Sequence, residues 1–235
     1  MKIFTWNIRH GGGARLNEIL SEIRKNADSD VIVLTEFRDN KNAQAIRAVL
    51  SECGMPFQFM PNTEPRVNTI LIATRHEAEF YQFPNLNEHA HRVVMLKSGS
   101  LQIFGTYFPQ KKEKAKVFSF LADQLKNASL DQTVVVAGDL NTGLHFKDEQ
   151  GKSFHCSEDF QKLLETGMTD AWRLLNADVS EYSWYSNYGN GFRIDHCLVS
   201  SNSKNVIRNC FYIHKAREKK YSDHSQMVLE LDYSL

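Results

Sequence analysis

Five short apolar runs in the sequence end at, or lie next to, residues with acidic, amide or imidazole side chains. These residues are Asn7, Glu36, Asp139 with Asn141, Asp195, and Asp223 with His224. One Asp or Asn at a strand end usually indicates only a turn, because its side chain satisfies local backbone donors. Five such ends in one chain predict a site that combines three to four carboxylates, two amides and one imidazole.

The chemistry of these side chains favours a hard divalent cation. Carboxylate and amide oxygens are suitable ligands for Mg²⁺, and for Mn²⁺ as a substitute. The four cysteines have no C-x-x-C spacing and no H-x-x-x-H pair falls on a predicted helix, which argues against zinc. The glycines at 11–13 match no nucleotide-binding motif, and there is no G-x-S-x-G sequence of an α/β-hydrolase.

Asp195 differs from the other acidic residues in its surroundings. It lies between Ile194 and the apolar run Cys197-Leu198-Val199. An unpaired carboxylate is costly to bury in such a strand. We therefore expect a buried partner for Asp195, such as a histidine.

The apolar periodicity predicts the elements that position these residues. Continuous or alternating apolar runs predict strands at 3–6, 31–34, 68–74, 92–96, 101–108 and 133–137, and at about 181–185, 193–200, 206–213 and 226–232. Helical spacing predicts helices at about 15–26, around 46–53, at about 113–128, and around 160–164. This mixture predicts an α/β fold: a four-layer sandwich in which two face-to-face mixed β-sheets are flanked by helices. No linker is visible, so we expect one catalytic domain over 1–235.

Composition limits the classes of function. The chain has 235 residues, a net charge of +0 and a pI of about 7.1. A protein that coats nucleic acid without specificity is usually basic, so a nucleic-acid site here must be local, or the substrate must be small. The N-terminal residues lack a secretory apolar run and no stretch approaches the length of a membrane span, so we expect a cytoplasmic protein without a membrane partner. Nothing in the sequence indicates an obligate protein partner.

The ordered motifs resemble the endonuclease/exonuclease/phosphatase superfamily. The segments are Thr5-Trp6-Asn7-Ile8, Leu34-Thr35-Glu36, Gly138-Asp139-Leu140-Asn141, Arg193-Ile194-Asp195-His196 and Ser222-Asp223-His224. Each is weak alone, but the ordered set is specific and spans the chain. The tyrosine segment 106–110 and the aromatic segments 182–185 and 191–195 are most similar to the exonuclease III-like branch, whose members cut phosphodiesters in DNA, some of them at abasic sites.

The resemblance implies roles for the candidate residues. Glu36 is expected to bind the metal, with Asn7 and Asp223 nearby. Asp139 is expected to orient or deprotonate the attacking water, and Asn141 to hold the phosphate or Asp139. His224, paired with Asp195, is expected to stabilise charge on the phosphorane. Tyr107 is expected to contact the phosphate or to assist the leaving group.

Several further residues are candidates for substrate binding. They are Lys111, Lys112, Lys219 and Lys220 from two basic clusters, and Trp184, Phe192 and Arg193 from the late aromatic segment. Lysines beside a cleft would position a polyanion and make binding salt-dependent, and aromatic rings could stack on a base or sugar. The alternatives are solvated lysines and aromatic rings that pack in the core.

Three functions fit the sequence to different degrees. The leading hypothesis is a Mg²⁺-dependent nuclease that cuts DNA, or RNA, by in-line attack of an activated water. The alternative is a phosphodiesterase or phosphatase for a small or lipid-linked phosphate on the same scaffold. A non-catalytic nucleic-acid-binding module predicts the loss of a core ligand, yet all of them are present. Where the branch typically has Asn or Asp two residues after Asn7, this chain has Arg9, and only 55 residues separate Asp139 from Asp195; these departures give no support to abasic-site specificity.

Overall fold

Two six-stranded β-sheets pack face to face in the computed structural model, which describes residues 1–126 and 132–233. The strands are β1 (Lys2–Asn7), β2 (Val31–Phe37), β3 (Phe57–Phe59), β4 (Thr69–Thr74), β5 (Glu79–Gln82), β6 (Val93–Ser98), β7 (Leu101–Tyr107), β8 (Thr133–Asp139), β9 (Met168–Asp170), β10 (Trp184–Tyr185), β11 (Gly191–Phe192), β12 (Asp195–Ser200), β13 (Ile207–Ile213) and β14 (Gln226–Leu231). The helices are α1 (Leu16–Lys25), α2 (Ala43–Glu52), α3 (Lys114–Lys126), α4 (Ser157–Glu165), α5 (Ala171–Leu175) and α6 (Lys215–Glu218). The first sheet has the order β13-β14-β1-β2-β4-β3, the second has the order β5-β6-β7-β8-β12-β9, and β10 and β11 form a separate ribbon.

Three apolar clusters separate the layers. The first lies between the sheets and includes Val33 and Ile103. The second lies under α1 and α2, where Ile23 packs with the outer face of the first sheet. The third joins α3 and α4 to the outer face of the second sheet around Phe118 and Phe160. The helix–sheet–sheet–helix order confirms the predicted four-layer α/β fold.

Two parallel strand pairs bring the candidate residues to one end of the sandwich. β1 and β2 are parallel and connected through α1, and β7 and β8 are parallel and connected through α3. The other pairings in the two large sheets are antiparallel, so both sheets are mixed. Asp195 at the start of β12 lies opposite Asp139 at the end of β8. The ends of β1, β2, β7 and β8 and the start of β12 therefore meet at the same edge.

The predicted strands of the two sheet cores and all four predicted helices are present, with small shifts at their ends. The sequence did not predict β3, β5, β9, β11, α5 or α6, which have two to five residues each. The run at 181–185 forms only the two-residue β10. The last two positions of the helix predicted at 113–128 lie outside the described residues. None of the described helices has the length and apolar character that crossing a bilayer requires.

Candidate active site

Asn7, at the end of β1, connects three other candidate residues through its amide group. Its Nδ2 donates to Asp139 Oδ2 at 2.9 Å and to Glu36 Oε1 at 3.2 Å, and it lies 3.4 Å from His224 Nε2. The Asn7 carbonyl accepts a hydrogen bond of 2.6 Å from Ser222 Oγ, which attaches the loop before β14 to β1. Asn7 is buried, so this arrangement is fixed below the surface.

Glu36 occupies a strained position near the end of β2. Its φ is 53°, a left-handed conformation that non-glycine residues rarely adopt, and the register between β2 and β4 shifts at this point. Its carboxylate accepts from the His10 backbone N at 2.9 Å and from the Tyr107 hydroxyl at 3.4 Å. Asn68 Nδ2 in turn donates to that hydroxyl at 3.3 Å. Neighbouring groups therefore fix the orientation of a carboxylate that remains partly exposed.

Asp139 follows a glycine that the sheet requires. Gly138 has a φ of 143°, and a Cβ at this position would lie 2.0 Å from the Thr106 carbonyl oxygen on the adjacent β7. Asn141 then turns back with a φ of 53°, so that its backbone N donates to Asp139 Oδ1 at 2.8 Å. Asn141 Nδ2 donates to the Phe108 carbonyl at 2.8 Å. The G-D-x-N segment thus holds one buried carboxylate in a fixed orientation.

His224 and Asp195 form the buried pair that the surroundings of Asp195 predicted. His224 Nδ1 lies 2.9 Å from Asp195 Oδ2, and both residues are buried. The Asp195 backbone is held by Tyr212, whose hydroxyl donates to its carbonyl at 2.6 Å, and by Ser183 Oγ, which accepts from its N at 3.2 Å. Because Nδ1 is engaged with Asp195, the Nε2 edge of the imidazole faces Asn7 and the cavity.

The electrostatic environment gives these groups different protonation states. Burial, followed by the Asp195 charge, raises the pKa of Asp139 to about 7. Burial opposes a charge on His224, but Asp195 and Asp139 outweigh it and raise the pKa of His224 to about 10. Burial and Glu36 raise the pKa of Tyr107 to about 12. At neutral pH His224 is therefore a cation and Tyr107 is a hydrogen-bond donor.

A cavity of about 390 Å³ opens over these groups. The predicted site residues that line it are Glu36, Lys111, Asp139, Asn141, Trp184, Phe192, Asp223 and His224. Asn7 and Asp195 are buried beneath them, and Tyr107 contacts the site through Glu36. Trp184 and Phe192 pair across the ribbon of β10 and β11, with ring centroids 5.7 Å apart. The aromatic candidates thus form one wall of the cavity and do not belong to the main core.

Arg193 does not belong to this cavity, and the prediction that it binds substrate is wrong. Its side chain is 0% exposed. Its Nε donates to Asp148 Oδ1 at 2.8 Å and its Nη2 donates to Asp170 Oδ2 at 2.5 Å. The guanidinium is therefore occupied by two buried carboxylates that the sequence alone does not connect to it.

The basic clusters contribute unequally. Lys111 lines the cavity, and Lys112 lines a neighbouring one together with His145 and Phe154. Lys219 and Lys220 are exposed at the end of α6 and do not line the cavity. From this position the two lysines can contact only a part of the substrate that extends beyond the cavity.

Several residues that line the cavity are not among the predicted site residues. These are Arg9, His10, Gln110, Lys114, Ser153, Phe154, His155 and Ile194. Lys114 is 2% exposed and donates to the Asn141 carbonyl, and burial lowers its pKa to about 8. It belongs to the cluster after Tyr107 that the sequence did reveal. Phe154 and His155 come from the long segment between β8 and α4, which carries no recognisable motif.

Two sets of side chains could contribute to a cation site. Ligand atoms of Asp139, Asp195 and His224 lie within 4.8 Å of one another. A histidine must be neutral to ligate a metal, however, and the charge on His224 and its bond to Asp195 oppose this. Glu36 and Asp223 instead offer oxygen ligands that line the cavity, which suits a hard cation.

An α/β sandwich that holds carboxylates, amides and a His–Asp pair at one end of both sheets defines a phosphoesterase. The chain belongs to the Endonuclease/Exonuclease/phosphatase family, whose model matches residues 4–224. Members of this family are metal-dependent phosphodiesterase and nuclease hydrolases, so the protein is an enzyme of this class, as the sequence predicted. A comparison with curated proteins found no match.

Several solved structures share this fold. A 3′ phosphatase, NExo, from Neisseria, solved with a product DNA hairpin, superposes with a TM-score of 0.82 at 22% identity. An AP endonuclease from Archaeoglobus fulgidus gives 0.82 at 21% identity, and a 3′-5′ exonuclease (NExo) from Neisseria meningitidis gives 0.80 at 21% identity. Each comparison covers 99% of this chain and 100% of the other. At these identities the likeness shows the fold, which is the fold of the predicted exonuclease III-like branch.

Proposed function

We propose that the protein is a Mg²⁺-dependent nuclease, with one catalytic domain, that hydrolyses phosphodiester bonds in DNA by in-line attack of water. The observation that carries this proposal is the position of the Asn7 amide. Its nitrogen lies within 3.4 Å of the candidate metal ligand Glu36, the candidate base Asp139 and the cation His224. The three functions that hydrolysis needs therefore converge on one small volume.

Glu36 is the residue we propose as the main cation ligand, with Asp223 beside it. When bound, Mg²⁺ supplies positive charge to the phosphate oxygens, and Mn²⁺ can substitute because it prefers the same ligands. The bond from Asn7 and the bond from the His10 backbone fix the Glu36 carboxylate before substrate arrives. Such preorganisation avoids a reorganisation cost during the reaction.

Asp139 is the proposed general base. Its pKa of about 7 is close to the operating pH, which is the condition under which a base is most effective. Asn141 donates its backbone N–H to one carboxylate oxygen and Asn7 donates its side chain to the other. These bonds hold Asp139 in the orientation from which it can accept a proton from the attacking water.

His224 is the proposed stabiliser of charge on the phosphorane. Asp195 keeps the imidazole cationic and fixes its orientation, so its Nε2–H can donate to a non-bridging oxygen. Tyr107 keeps its proton and donates to Glu36, so we assign it a positioning role rather than contact with the leaving group. Lys114 adds a buried positive charge next to Asn141.

Polynucleotide is the substrate that the surroundings of the site support best. Lys111 and Lys114 line the cavity together with the aromatic rings of Trp184 and Phe192. Positive charge binds the phosphate backbone, and aromatic rings stack on bases whatever their sequence. The neighbouring structure with a DNA hairpin supports DNA as the polymer, and RNA remains the second polynucleotide to test.

Removal of a terminal phosphate from DNA is a second candidate function. The observation that favours it is the description of one neighbour as a 3′ phosphatase. The same site residues could act on a monoester, since both reactions require negative charge to be stabilised on the phosphoryl and leaving-group oxygens. If the substrate is not a nucleic acid, the corresponding function is hydrolysis of a small or lipid-linked phosphate.

The test is cleavage of a labelled panel with Mg²⁺, with Mn²⁺ and with EDTA. The panel contains double-stranded, single-stranded and abasic DNA, RNA, a DNA with a 3′-phosphate, and bis(p-nitrophenyl) phosphate. We expect EDTA-sensitive cutting of DNA, restored by either cation. Activity confined to the 3′-phosphate would favour the second candidate. Activity confined to the small ester would refute a nuclease.

A further inference from the structure

Arg9 lies in an unusual turn directly after Asn7. Five consecutive residues, 9–13, have positive φ angles of 53°, 55°, 67°, 78° and 51°. Glycines at 11–13 adopt this conformation without strain, but Arg9 and His10 do so at a cost. Strain at non-glycine residues persists where the surroundings enforce it, and it concentrates at functional sites.

The backbone of this turn is bonded directly to the candidate active site. The Arg9 N–H donates to Asn7 Oδ1 at 2.9 Å, and the His10 N–H donates to Glu36 Oε2 at 2.9 Å. From below, Asn42 Nδ2 donates to the carbonyls of Gly11 at 3.0 Å and Gly13 at 2.9 Å. The turn is therefore rigid, and the side chains of residues 9 and 10 are held at the cavity.

The two side chains of the turn are used differently. His10 Nδ1 lies 2.9 Å from Glu36 Oε2 and 2.9 Å from Arg38 Nη2, so this imidazole already has partners. Arg9 lines the cavity with its side chain 44% exposed, and its Nε lies 3.7 Å from Asp223 Oδ1. Among the described residues, no side chain contacts the two terminal nitrogens of Arg9 within hydrogen-bond distance.

We infer that Arg9 binds a second phosphate of the polynucleotide, the one adjacent to the scissile linkage. The nearest carboxylate, that of Asp223, faces Nε at 3.7 Å, so both Nη groups keep their donors for a ligand. A guanidinium presents parallel donors that match two phosphate oxygens. The scissile phosphate would occupy the cavity floor above Glu36, Asp139 and His224, so a cation at the rim meets a neighbouring phosphate.

This inference rests on the proposed nuclease function.

The experiment is a double-mutant cycle in which one change is made in the protein and the other removes one charge from the substrate. After the cut is mapped on a labelled DNA strand, a methylphosphonate replaces each linkage next to the cut in turn, which removes one negative charge. Wild type, Arg9→Gln and Arg9→Lys are compared, with Lys204→Gln as the control. Lys204 is exposed at the far end of β12 from Asp195, so this variant removes the same charge far from the cavity.

We expect one methylphosphonate replacement to raise the KM of wild type about tenfold, because one charge-assisted contact is lost. Arg9→Gln should raise KM about tenfold on normal DNA and show no further loss with that replacement. The KM of Arg9→Lys should lie between those of wild type and Arg9→Gln, because a lysine keeps the charge but not the paired donors. Arg9→Gly, which relieves the strained φ, should lose the same coupling without lowering the melting temperature.

Three outcomes would overturn the inference, and one of them separates it from the proposed function. If Arg9→Gln loses the same factor on every substrate, Arg9 acts through Asp223 and not on a phosphate. If no flanking replacement affects wild type while cutting proceeds, the second phosphate site does not exist but the nuclease does. If wild type cuts no polynucleotide, the proposed function fails and this inference fails with it.

Discussion

Arg193 and Asp195 lie two residues apart, yet they belong to buried charged clusters of opposite character. Around Arg193, which here defines the closed cluster, Asp148 and Asp170 face the guanidinium directly and Arg173 adds a second cation to Asp148 at 2.8 Å. Although burial alone would raise them, the Arg193 charge holds the pKa values of Asp148 and Asp170 below their ordinary range. The closed cluster pairs two guanidinium groups with two carboxylates, and none of these four residues lines the catalytic cavity.

The cluster around Asp195, here the open cluster, is not balanced in this way. It contains the carboxylates of Asp195 and Asp139 and the single cation His224, and it borders the cavity. Burial and the like charge of Asp195 raise the pKa of Asp139 where the closed cluster lowers those of its acids. In the closed cluster each charge is paired with an opposite charge, as expected where charges serve stability, whereas the open cluster leaves groups that face the cavity available to a ligand.

The largest expected effect is on the closed cluster. Asp170→Asn leaves the Arg193 charge without its strongest partner, and breaking a buried pair costs about 3–5 kcal/mol of unfolding free energy. Urea denaturation measures this loss. Asp28→Asn, which breaks the exposed pair with Lys2, should change stability by less than about 1 kcal/mol. A loss below about 1 kcal/mol for Asp170→Asn would contradict the closed character of this cluster.

The same chemical change in the open cluster should affect activity instead. Asp139→Asn should lower kcat at least ~10²-fold, because the base acts in the transition state. Its unfolding free energy should not fall, since Asn avoids the burial of a charge. Steady-state kinetics and urea denaturation of the same preparation decide the matter. Near wild-type turnover would remove Asp139 from the mechanism.

His224→Ala tests the cation of the open cluster. We expect kcat to fall at least ~10²-fold, because the phosphorane loses its charged hydrogen-bond donor. His76→Ala, outside the cavity, is the matched control and should be unaffected. If His224→Ala retains wild-type kcat, the charge-stabilising role is wrong.

The two clusters should also respond to pH with opposite signs, in a buffer with EDTA. The lowered pKa values of Asp148 and Asp170 mean that their stabilisation is present above about pH 4 and is lost as pH falls further. The raised pKa of Asp139 means that stability is lost as pH rises from about 4 to about 7. The loss of unfolding free energy below about pH 4 should therefore be smaller in Asp170→Asn, where Asp148 still contributes, and the decline between about pH 4 and pH 7 should be absent in Asp139→Asn. Unchanged profiles would refute the assigned shifts.

The smallest expected effect is on the salt dependence of polynucleotide binding. Reversing the charge of Lys111, at the cavity, should weaken binding and reduce the slope of log K against log salt by about one or more. Reversal of Lys112 should have a smaller effect, and that of Lys219 and Lys220 the smallest, because they lie outside the cavity. Titrations at several salt concentrations measure the slopes. If none changes, the basic clusters are solvated surface.

Much of the candidate site could be predicted because its residues follow apolar strands. Asn7, Glu36 and Asp139 lie at or next to the last residue of strands that belong to parallel pairs, and such ends meet at one edge of a sheet. The local sequence also carries the Gly138 that lets β8 approach β7. Strand patterns likewise predicted the layered fold, because a strand buried on both faces needs covering on both faces.

The sequence by itself therefore determined the class of fold, the family and the residues that gather at the strand ends. The tertiary structure decided which neighbours each charge received. Arg193 and Asp195 belong to one sequence motif. Arg193 is paired with Asp148 and Asp170 and stabilises the fold, whereas Asp195 is paired with His224 at the cavity. Arg9 and Phe154 reach the cavity from loops. Such pairings depend on loop paths and sheet packing, which join residues distant in sequence and leave no local periodicity to read.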